Sequence, residues 1–181
     1  RRQRQMCIRD RQMRGFKQRR IPFDCMAADP LAGYRVLGFD LETTGFNHKS
    51  HRIVQYALVG CDKDGSSMHV ENLVNPQRRI PYETTNIHGI DDNDVKDVPT
   101  FKEYAPLISE AMEGAVIVGH NVDRFDWPFL RSEFLRAGHA MPKPLAILDT
   151  LQIARKVKSP PSHKLGSLCL QFGMSLGKAH P

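Results

Sequence analysis

The sequence predicts an α/β fold built on a mixed, mostly five-stranded β-sheet. Three predicted strands come first, helices follow, and strands then alternate with helices after residue 114. This order indicates one sheet that contains both antiparallel and parallel strand pairs. The segment AVIVG at 115–119 is apolar throughout, which is typical of a parallel strand buried on both faces.

The first three strands are predicted from apolar and β-branched runs that are bounded by turn residues. They cover residues 35–41, 52–62 and 68–74. The segment KDGS at 63–66 contains a glycine and polar residues suited to a tight turn. The second and third strands therefore form a hairpin.

The helices are predicted from their caps and from apolar residues at helical spacing. Thr100 is a suitable N-cap, and Glu103 three residues later completes a capping box. Gly114 and Gly138 each end a helix. Helices are expected at 81–89, 91–98, 100–113, 124–137, 150–157 and 163–172, with a last strand at 146–148.

The composition is that of a globular protein with one domain. The chain has 181 residues, 40% of them hydrophobic, and no apolar run long enough to span a bilayer. Residues 1–20 hold nine Lys or Arg and one Asp, a net charge of +8; the rest, with 17 basic and 19 acidic residues, sum to −2. We therefore expect a basic, disordered or non-native leader at 1–33 and a folded domain at 34–181.

Two carboxylates lie at the end of the first predicted strand, in the motif DLETTG at 40–45. Residues two apart on a strand point to the same side, so Asp40 and Glu42 share one face. Two unpaired carboxylates in an apolar strand would be costly, and a bound cation removes that cost. Carboxylate oxygens are ligands suited to Mg²⁺ or Mn²⁺. Thr43 and Thr44 then turn the backbone and offer hydroxyl and N–H groups to a ligand.

A second polar segment, HNVDRFDW, follows the apolar strand at 115–119 and opens a helix. Binding sites in open α/β sheets gather at the carboxyl ends of strands. Asp126 lies in the first turn of this helix, where the helix dipole favours a carboxylate. Asp123 is a competing ligand or N-cap, and Asp126 is preferred because Phe125 and Phe129 bracket it as core residues.

The order of the motifs resembles the DnaQ-like DEDDh family of 3′→5′ exonucleases. The matching motifs are DLETTG, IHGI, HNVDRFDWPFL, LDT and HKLGSLC, followed by a late histidine in GKAHP. The resemblance covers residues 36–180. It implies a ribonuclease-H-like three-layer fold that hydrolyses terminal phosphodiesters with two Mg²⁺ or Mn²⁺ ions.

The resemblance also implies roles for individual residues. Asp40, Glu42 and Asp126 would bind the metal ions, and His180 would be the general base. A histidine with an ordinary pKa of about 6.5 can deprotonate a water molecule near neutral pH. The residues expected to contact the substrate are Thr43, Thr44, Glu83, His88 and Asn121.

The sequence departs from the family pattern at two places. Residues 122–124 separate Asn121 from the Phe-Asp pair, where many relatives have two residues. The family's last aspartate follows its histidine by five positions, which here falls beyond Pro181. The resemblance therefore implies a domain that lacks its last helix, and we expect the 181-residue chain to bind the second metal ion poorly.

We expect an exonuclease that acts on single-stranded DNA 3′ ends in proofreading, replication or repair. A DNA polymerase is a candidate partner, and no membrane association is expected. The alternatives are an RNA 3′-end trimming exonuclease and a catalytically inactive nucleic-acid-binding module of the same fold. A cytoplasmic location is expected, and the basic leader leaves a nuclear or organellar location open.

Other polar residues near these motifs have structural interpretations. Asp149 precedes Thr150 at a predicted helix start, so it is expected to cap that helix. Arg124, Arg131 and Arg136 are expected to lie on a solvated helix face.

Overall fold

The structure is a computed structural model that describes residues 31–157 and 162–174. In these ranges five strands form one sheet: β1 (Val36–Thr43), β2 (Ile53–Cys61), β3 (Ser67–Leu73), β4 (Val116–Gly119) and β5 (Ala146–Asp149). Their order across the sheet is β3-β2-β1-β4-β5. The β3-β2 and β2-β1 pairs are antiparallel, whereas the β1-β4 and β4-β5 pairs are parallel. The predicted α/β class and the mixed five-stranded sheet are confirmed.

The helices of the described ranges are α1 (Tyr82–His88), α2 (Asp92–Val95), α3 (Phe101–Met112), α4 (Asp126–Ala137), α5 (Thr150–Lys156) and α6 (Leu165–Gln171). Each predicted helix is found, and its ends lie within a few residues of the predicted positions. The predicted capping box is also present, since the backbone N–H of Thr100 donates to the Glu103 carboxylate at 2.8 Å. Helix α4 begins two residues later than predicted because Arg124 and Phe125 belong to the preceding turn, where their N–H groups donate to the carbonyl of Asn121.

The main hydrophobic core lies between one face of the sheet and helices α3 and α4. Buried Leu37, Phe39 and Leu41 alternate with more exposed residues along β1, which is the pattern of a strand with one covered face. Phe101 of α3 and Phe134 of α4 meet edge to face, with ring centroids 5.3 Å apart. Burial of each such side chain stabilises the fold by about 1.5–3 kcal/mol. The core thus fixes one face of β1 and leaves the other for polar residues.

Strand β1 is longer than its parallel neighbour, and this difference opens one edge of the sheet. Strand β4 pairs with β1 only over residues 36–38, whereas β2 pairs with it along its whole length. The pairing with β2 shifts between Glu42 and Thr43, where a bulge or similar irregularity bends the strand end. The start of α4 lies beside the second half of β1, since the N–H of Leu41 reaches the carboxylate of Asp126.

Several predictions fall on residues outside the described ranges. The leader predicted at 1–33 lies almost entirely there, as do His180 and the end of the chain. The domain boundary at residue 34 and the absent last helix accordingly stay predictions. Within the described ranges, no helix combines the length and the apolar character that a membrane crossing requires.

Candidate active site

Strand β1 places Asp40 and Glu42 on the face of the sheet that is turned away from the main core. The two residues share this face, as their spacing predicts, but Asp40 is exposed and Glu42 is half-buried. The expectation that both carboxylates are costly because they are buried in an apolar strand is therefore wrong. Solvent reaches the strand end, and the buried carboxylate belongs to helix α4 instead.

That buried carboxylate is Asp126, whose side chain is 3% exposed and whose Oδ1 has no hydrogen-bond partner within the described residues. Burial, together with the negative charges of Asp40 and, more weakly, Glu42, raises the pKa of Asp126 to about 8. The backbone N–H groups of Asp126 and Leu41 act in the opposite direction and are outweighed. The first turn of α4 thus brings a third carboxylate into the electric field of the first two.

The chemistry of this donor set fits a divalent cation. A buried carboxylate oxygen without a partner is costly, and a hard cation such as Mg²⁺ or Mn²⁺ would satisfy it together with Asp40 and Glu42. In the part of the chain that the structure describes, no three His, Cys, Asp or Glu side chains are already grouped as a metal cluster. Like-charged carboxylates repel each other unless a cation lies between them.

The competing aspartate lies elsewhere. Asp123 is exposed, and its Oδ2 accepts a hydrogen bond from the side-chain amide of Gln152 at 2.6 Å. This contact ties the loop before α4 to the first turn of α5. The placement favours Asp126 over Asp123 as the third acidic residue of the site.

The turn after β1 is held together by its threonines. Thr43 and Thr44 are buried; the Thr43 hydroxyl donates to the carbonyl of Gly45 at 2.8 Å, and the Thr44 hydroxyl accepts from the N–H of Arg52 at 3.0 Å. Gly45 has φ +149°, and a Cβ at this position would lie 2.7 Å from the ring of His51. The two hydroxyl groups therefore shape the turn from inside the protein, and a contact of Thr43 or Thr44 with a ligand stays a prediction.

The two predicted nucleotide contacts of α1 lie on different sides of that helix. Glu83 is exposed in the first turn, whereas His88 in the last turn is 5% exposed. Five residues correspond to a rotation of about 140° around a helix axis. The Nδ1 atom of His88 accepts the N–H of Ile90 at 3.1 Å, so a neutral imidazole carries its proton on Nε2 and presents a donor there.

Asp149 connects the loop after β4 to helix α5. Its side chain accepts N–H groups of Leu151 and Gln152, which confirms the predicted cap, and also those of Asn121 and Asp123. Burial acts to raise the pKa of Asp149, but these four N–H groups outweigh it and hold the pKa below its ordinary value. Asn121, a predicted substrate contact, is thereby fixed in a left-handed backbone conformation with φ 64°.

Sequence reasoning missed Glu133, a second buried carboxylate on α4. Its side chain is 1% exposed, and its Oε1 contacts Nε of Arg52 at 2.6 Å and Nη1 of Arg136 at 3.1 Å. Arg136 also donates to the carbonyls of His48 and Lys49. Arg136 is exposed, as predicted, and its guanidinium group also holds the β1–β2 connection against α4.

A signal for Glu133 is present in the sequence. The residue lies between Leu130 and Phe134, where the helical spacing calls for an apolar side chain. A carboxylate at such a position indicates a buried ionic contact, although the partners cannot be read from the spacing. His180, the predicted general base, lies outside the described residues, and its role stays a prediction.

Comparison with known proteins identifies the family. The family model described as Exonuclease (RNase_T) matches residues 37–181. The DNA polymerase III subunit epsilon of Treponema pallidum (strain Nichols) is 32% identical over 145 residues, which cover 78% of this chain and 66% of that protein. The Arabidopsis thaliana exonuclease DPD1, chloroplastic/mitochondrial, is 35% identical over 143 residues, which cover 73% of this chain and 45% of that protein. The chain belongs to this exonuclease family, as its motifs predicted.

Solved structures agree on the fold. Exonuclease I aligns with a TM-score of 0.69 at 20% identity and covers 80% of this chain and 36% of its own. Exonuclease X, solved in complex with 5′ overhanging duplex DNA, aligns with a TM-score of 0.57 at 22% identity. The alignment covers 78% of this chain and 75% of the exonuclease X chain. These likenesses confirm the predicted ribonuclease-H-like fold. The chain spans about two thirds of the Treponema relative and less than half of the Arabidopsis one.

Proposed function

We propose that the chain is a metal-dependent 3′→5′ exonuclease that hydrolyses phosphodiesters at single-stranded DNA 3′ ends. The observation that carries this proposal is the buried Asp126 carboxylate, which has an unsatisfied oxygen and lies in the field of Asp40 and Glu42. A stable helix start favours a carboxylate, but it does not require that the carboxylate be buried beside two others of like charge. A divalent cation would give the unsatisfied Asp126 oxygen a partner and would balance the negative charges of Asp40 and Glu42.

Each residue has a defined task in this proposal. Asp40, Glu42 and Asp126 would hold the Mg²⁺ or Mn²⁺ ions of the site, and Asp126 would give up its proton when a cation takes that place. When bound, such ions would activate a water molecule and stabilise the leaving oxygen of an in-line displacement. His180 accepts the proton of the attacking water.

The substrate contacts are proposed on the same basis. Glu83, His88 and Asn121 contact the terminal nucleotide. Thr43 and Thr44 contribute through the backbone of their turn, because their hydroxyl groups are engaged inside the protein.

The preference for DNA rests on the relatives. The Treponema relative is a DNA polymerase III subunit, and exonuclease I of E. coli, a neighbour in fold, has been solved as a complex with single-stranded DNA in a zinc-bound form. We accordingly propose a DNA polymerase as a partner of this chain. The location proposed is the cytoplasm, and the Arabidopsis relative makes an organelle the alternative.

The test is hydrolysis of matched DNA and RNA oligonucleotides that carry a 5′ label, with Mg²⁺ or Mn²⁺ and with a chelator. We expect a ladder that shortens from the 3′ end, on DNA and only with metal. Asp126→Asn should abolish the ladder, whereas Asp123→Asn, the matched control on the same loop, should retain it. Shortening of RNA alone would overturn the DNA assignment. Tight binding without hydrolysis under every condition would favour an inactive binding module.

A further inference from the structure

A groove of about 260 Å³ lies between the loop that follows β4 and helix α5. Asn121 and Arg124 line it from the loop, and Gln152, Arg155 and Lys156 line it from the helix. Hydrogen bonds from the N–H groups of this loop to Asp149 fix the groove's two sides relative to each other. The groove is therefore a built feature of the fold and not a gap between independent loops.

The groove carries an excess of positive charge. Arg124, Arg155 and Lys156 are exposed, and none of them forms an ion pair with another described residue. Asp149, the one carboxylate that lines the groove among the described residues, is buried and faces four backbone N–H groups. The chain after residue 20 has a net charge of −2, so this excess is local.

A second groove shows that this charge is not a general property of the surface. The groove of about 720 Å³ beside α1 also contains two arginines, Arg78 and Arg79. Three carboxylates, those of Glu83, Asp91 and Asp92, line the same groove and balance them. The excess of cations thus distinguishes the groove beside α5.

The position of the groove relates it to the three carboxylates. Strands β4 and β1 are neighbours, and the groove opens at the carboxyl ends of β4 and β5. The loop that supplies Arg124 leads directly into α4, whose first residue is Asp126. A strand whose 3′ end reaches Asp126 would run its next phosphates along this edge of the sheet.

We propose that this groove binds phosphate groups of the substrate strand on the 5′ side of the cleaved nucleotide, an inference that rests on the proposed function. Its lining contains no aromatic side chain on which a base could stack, and it is smaller than the roughly 300–1,000 Å³ of a typical small-molecule pocket. Lys and Arg contacts to phosphate position a strand without reading its sequence. The contact is therefore independent of base identity.

The experiment compares two double variants in the Asp126→Asn background, in which binding is measured without hydrolysis. Arg155→Ala with Lys156→Ala removes two cations of the groove. Lys63→Ala with Lys102→Ala removes two exposed cations from other elements and keeps the net charge matched. The measurement is the dissociation constant for single-stranded DNA of 3 and 12 nucleotides over a range of salt concentrations.

For the longer strand, the groove variant should lower the slope of log affinity against log salt by about 0.7 for each lost phosphate contact. Its affinity for dA and dT strands should fall equally, and the 3-nucleotide strand should be affected little. In the active protein, the same two substitutions should raise KM and leave kcat unchanged. The control variant should keep the original slope.

Two other results would overturn the proposal in different ways. An unchanged slope in the groove variant, with normal binding by the unsubstituted protein, would refute the groove and leave the exonuclease proposal standing. Absence of single-stranded DNA binding by the unsubstituted protein would refute both. Arg155 and Lys156 also lie in the last turn of α5, where cations interact favourably with the helix dipole. The melting temperatures of both double variants are therefore measured, to show that the substitutions do not unfold the protein.

Discussion

Helix α4 carries two buried carboxylates, Asp126 and Glu133, whose surroundings differ in charge. They are seven residues apart, about two turns, and are 3% and 1% exposed. The Oε1 atom of Glu133 contacts the guanidinium groups of Arg52 and Arg136. The Oδ1 atom of Asp126 has no hydrogen-bond partner in the described residues, and the charges of Asp40 and Glu42 that act on this carboxylate are negative.

The difference separates a buried carboxylate with cationic partners from one that we propose to be a metal ligand. Glu133 also has an oxygen, Oε2, without a hydrogen bond, but two cations from the chain already balance its charge. Asp126 has no such balance within the described residues. A carboxylate whose missing partner is a cation that the chain does not provide is suited to a metal ion.

The largest expected effect is on catalysis. If the proposed metal site is correct, Asp126→Asn should lower kcat about 10³-fold in Mg²⁺, because it would remove several kcal/mol of the stabilisation that bound ions would give to the transition state. Glu133→Gln should lower kcat by about 10–100-fold at most, as expected of a residue that supports the site without touching substrate. Steady-state hydrolysis of a fluorescent oligonucleotide measures both. Equal losses of kcat in the two variants would show that the two carboxylates do not differ in their contribution to catalysis.

The next effect is on the pH dependence of stability. The pKa of Asp126 in the folded protein, about 8, exceeds its ordinary value of 3.8. The stability contributed by its neutral form is therefore fully present below about pH 4 and is lost as the pH rises through 8. The change should amount to a few kcal/mol, since one pKa unit corresponds to about 1.4 kcal/mol.

Melting temperatures measured from pH 4 to 9, with chelator and with Mg²⁺, test this dependence. With chelator the melting temperature should fall as Asp126 ionises, and Mg²⁺ should raise it more at pH 8.5 than at pH 5, because the ion competes with the proton. Asp126→Asn should flatten the curve measured with chelator. If the variant and the unsubstituted protein follow the same curve, the raised pKa of Asp126 is not its cause.

A third effect is expected at Glu133. Glu133→Ala should destabilise the fold by about 2–3 kcal/mol, somewhat less than the 3–5 kcal/mol typical when one partner of a fully buried ion pair is removed. The reduction reflects the side chains of Arg52 and Arg136, which are 22% and 29% exposed and can reach solvent. Urea unfolding at pH 7 measures the change. Replacement of exposed Glu110, which is also helical, gives the reference, and a loss no larger than that reference would contradict the ionic role of Glu133.

The smallest effect is expected at Asp149, a buried carboxylate balanced by N–H groups instead of cations. Asp149→Asn keeps one acceptor oxygen and should cost about 1 kcal/mol, as for a weakened helix cap. Asp149→Ala removes the acceptors of both the cap and the Asn121 loop and should cost more. Urea unfolding measures the stability of both variants. If Asp149→Ala is the more stable of the two, the hydrogen bonds of Asp149 are not the source of its contribution to stability.

Much of this molecule follows from local sequence patterns. The five strands, the Thr100 cap and the role of Asp149 as a helix cap were predicted because each depends on residues a few positions apart. The motif order predicted the exonuclease family. Local spacing also placed Asp40 and Glu42 on one face of β1.

Other features depend on contacts that no local pattern contains. Arg52 and Glu133 are 81 positions apart, and Asn121 and Asp149 are 28 apart. The Thr44 hydroxyl turns inward because the chain returns past it through Arg52. Only the folded structure shows that Asp126 is buried and Asp40 is exposed.

The contacts of Arg136 also have a consequence for motion. This residue joins the carbonyls of His48 and Lys49 to α4, while Glu133 holds the start of β2. The strand turn beside Glu42 and the helix that begins at Asp126 should therefore open as one cooperative unit. In hydrogen-exchange measurements, the amides of Thr44 and Ile53 should be protected to the same degree as those in the middle of α4, and the two halves of the candidate site should lose their order together.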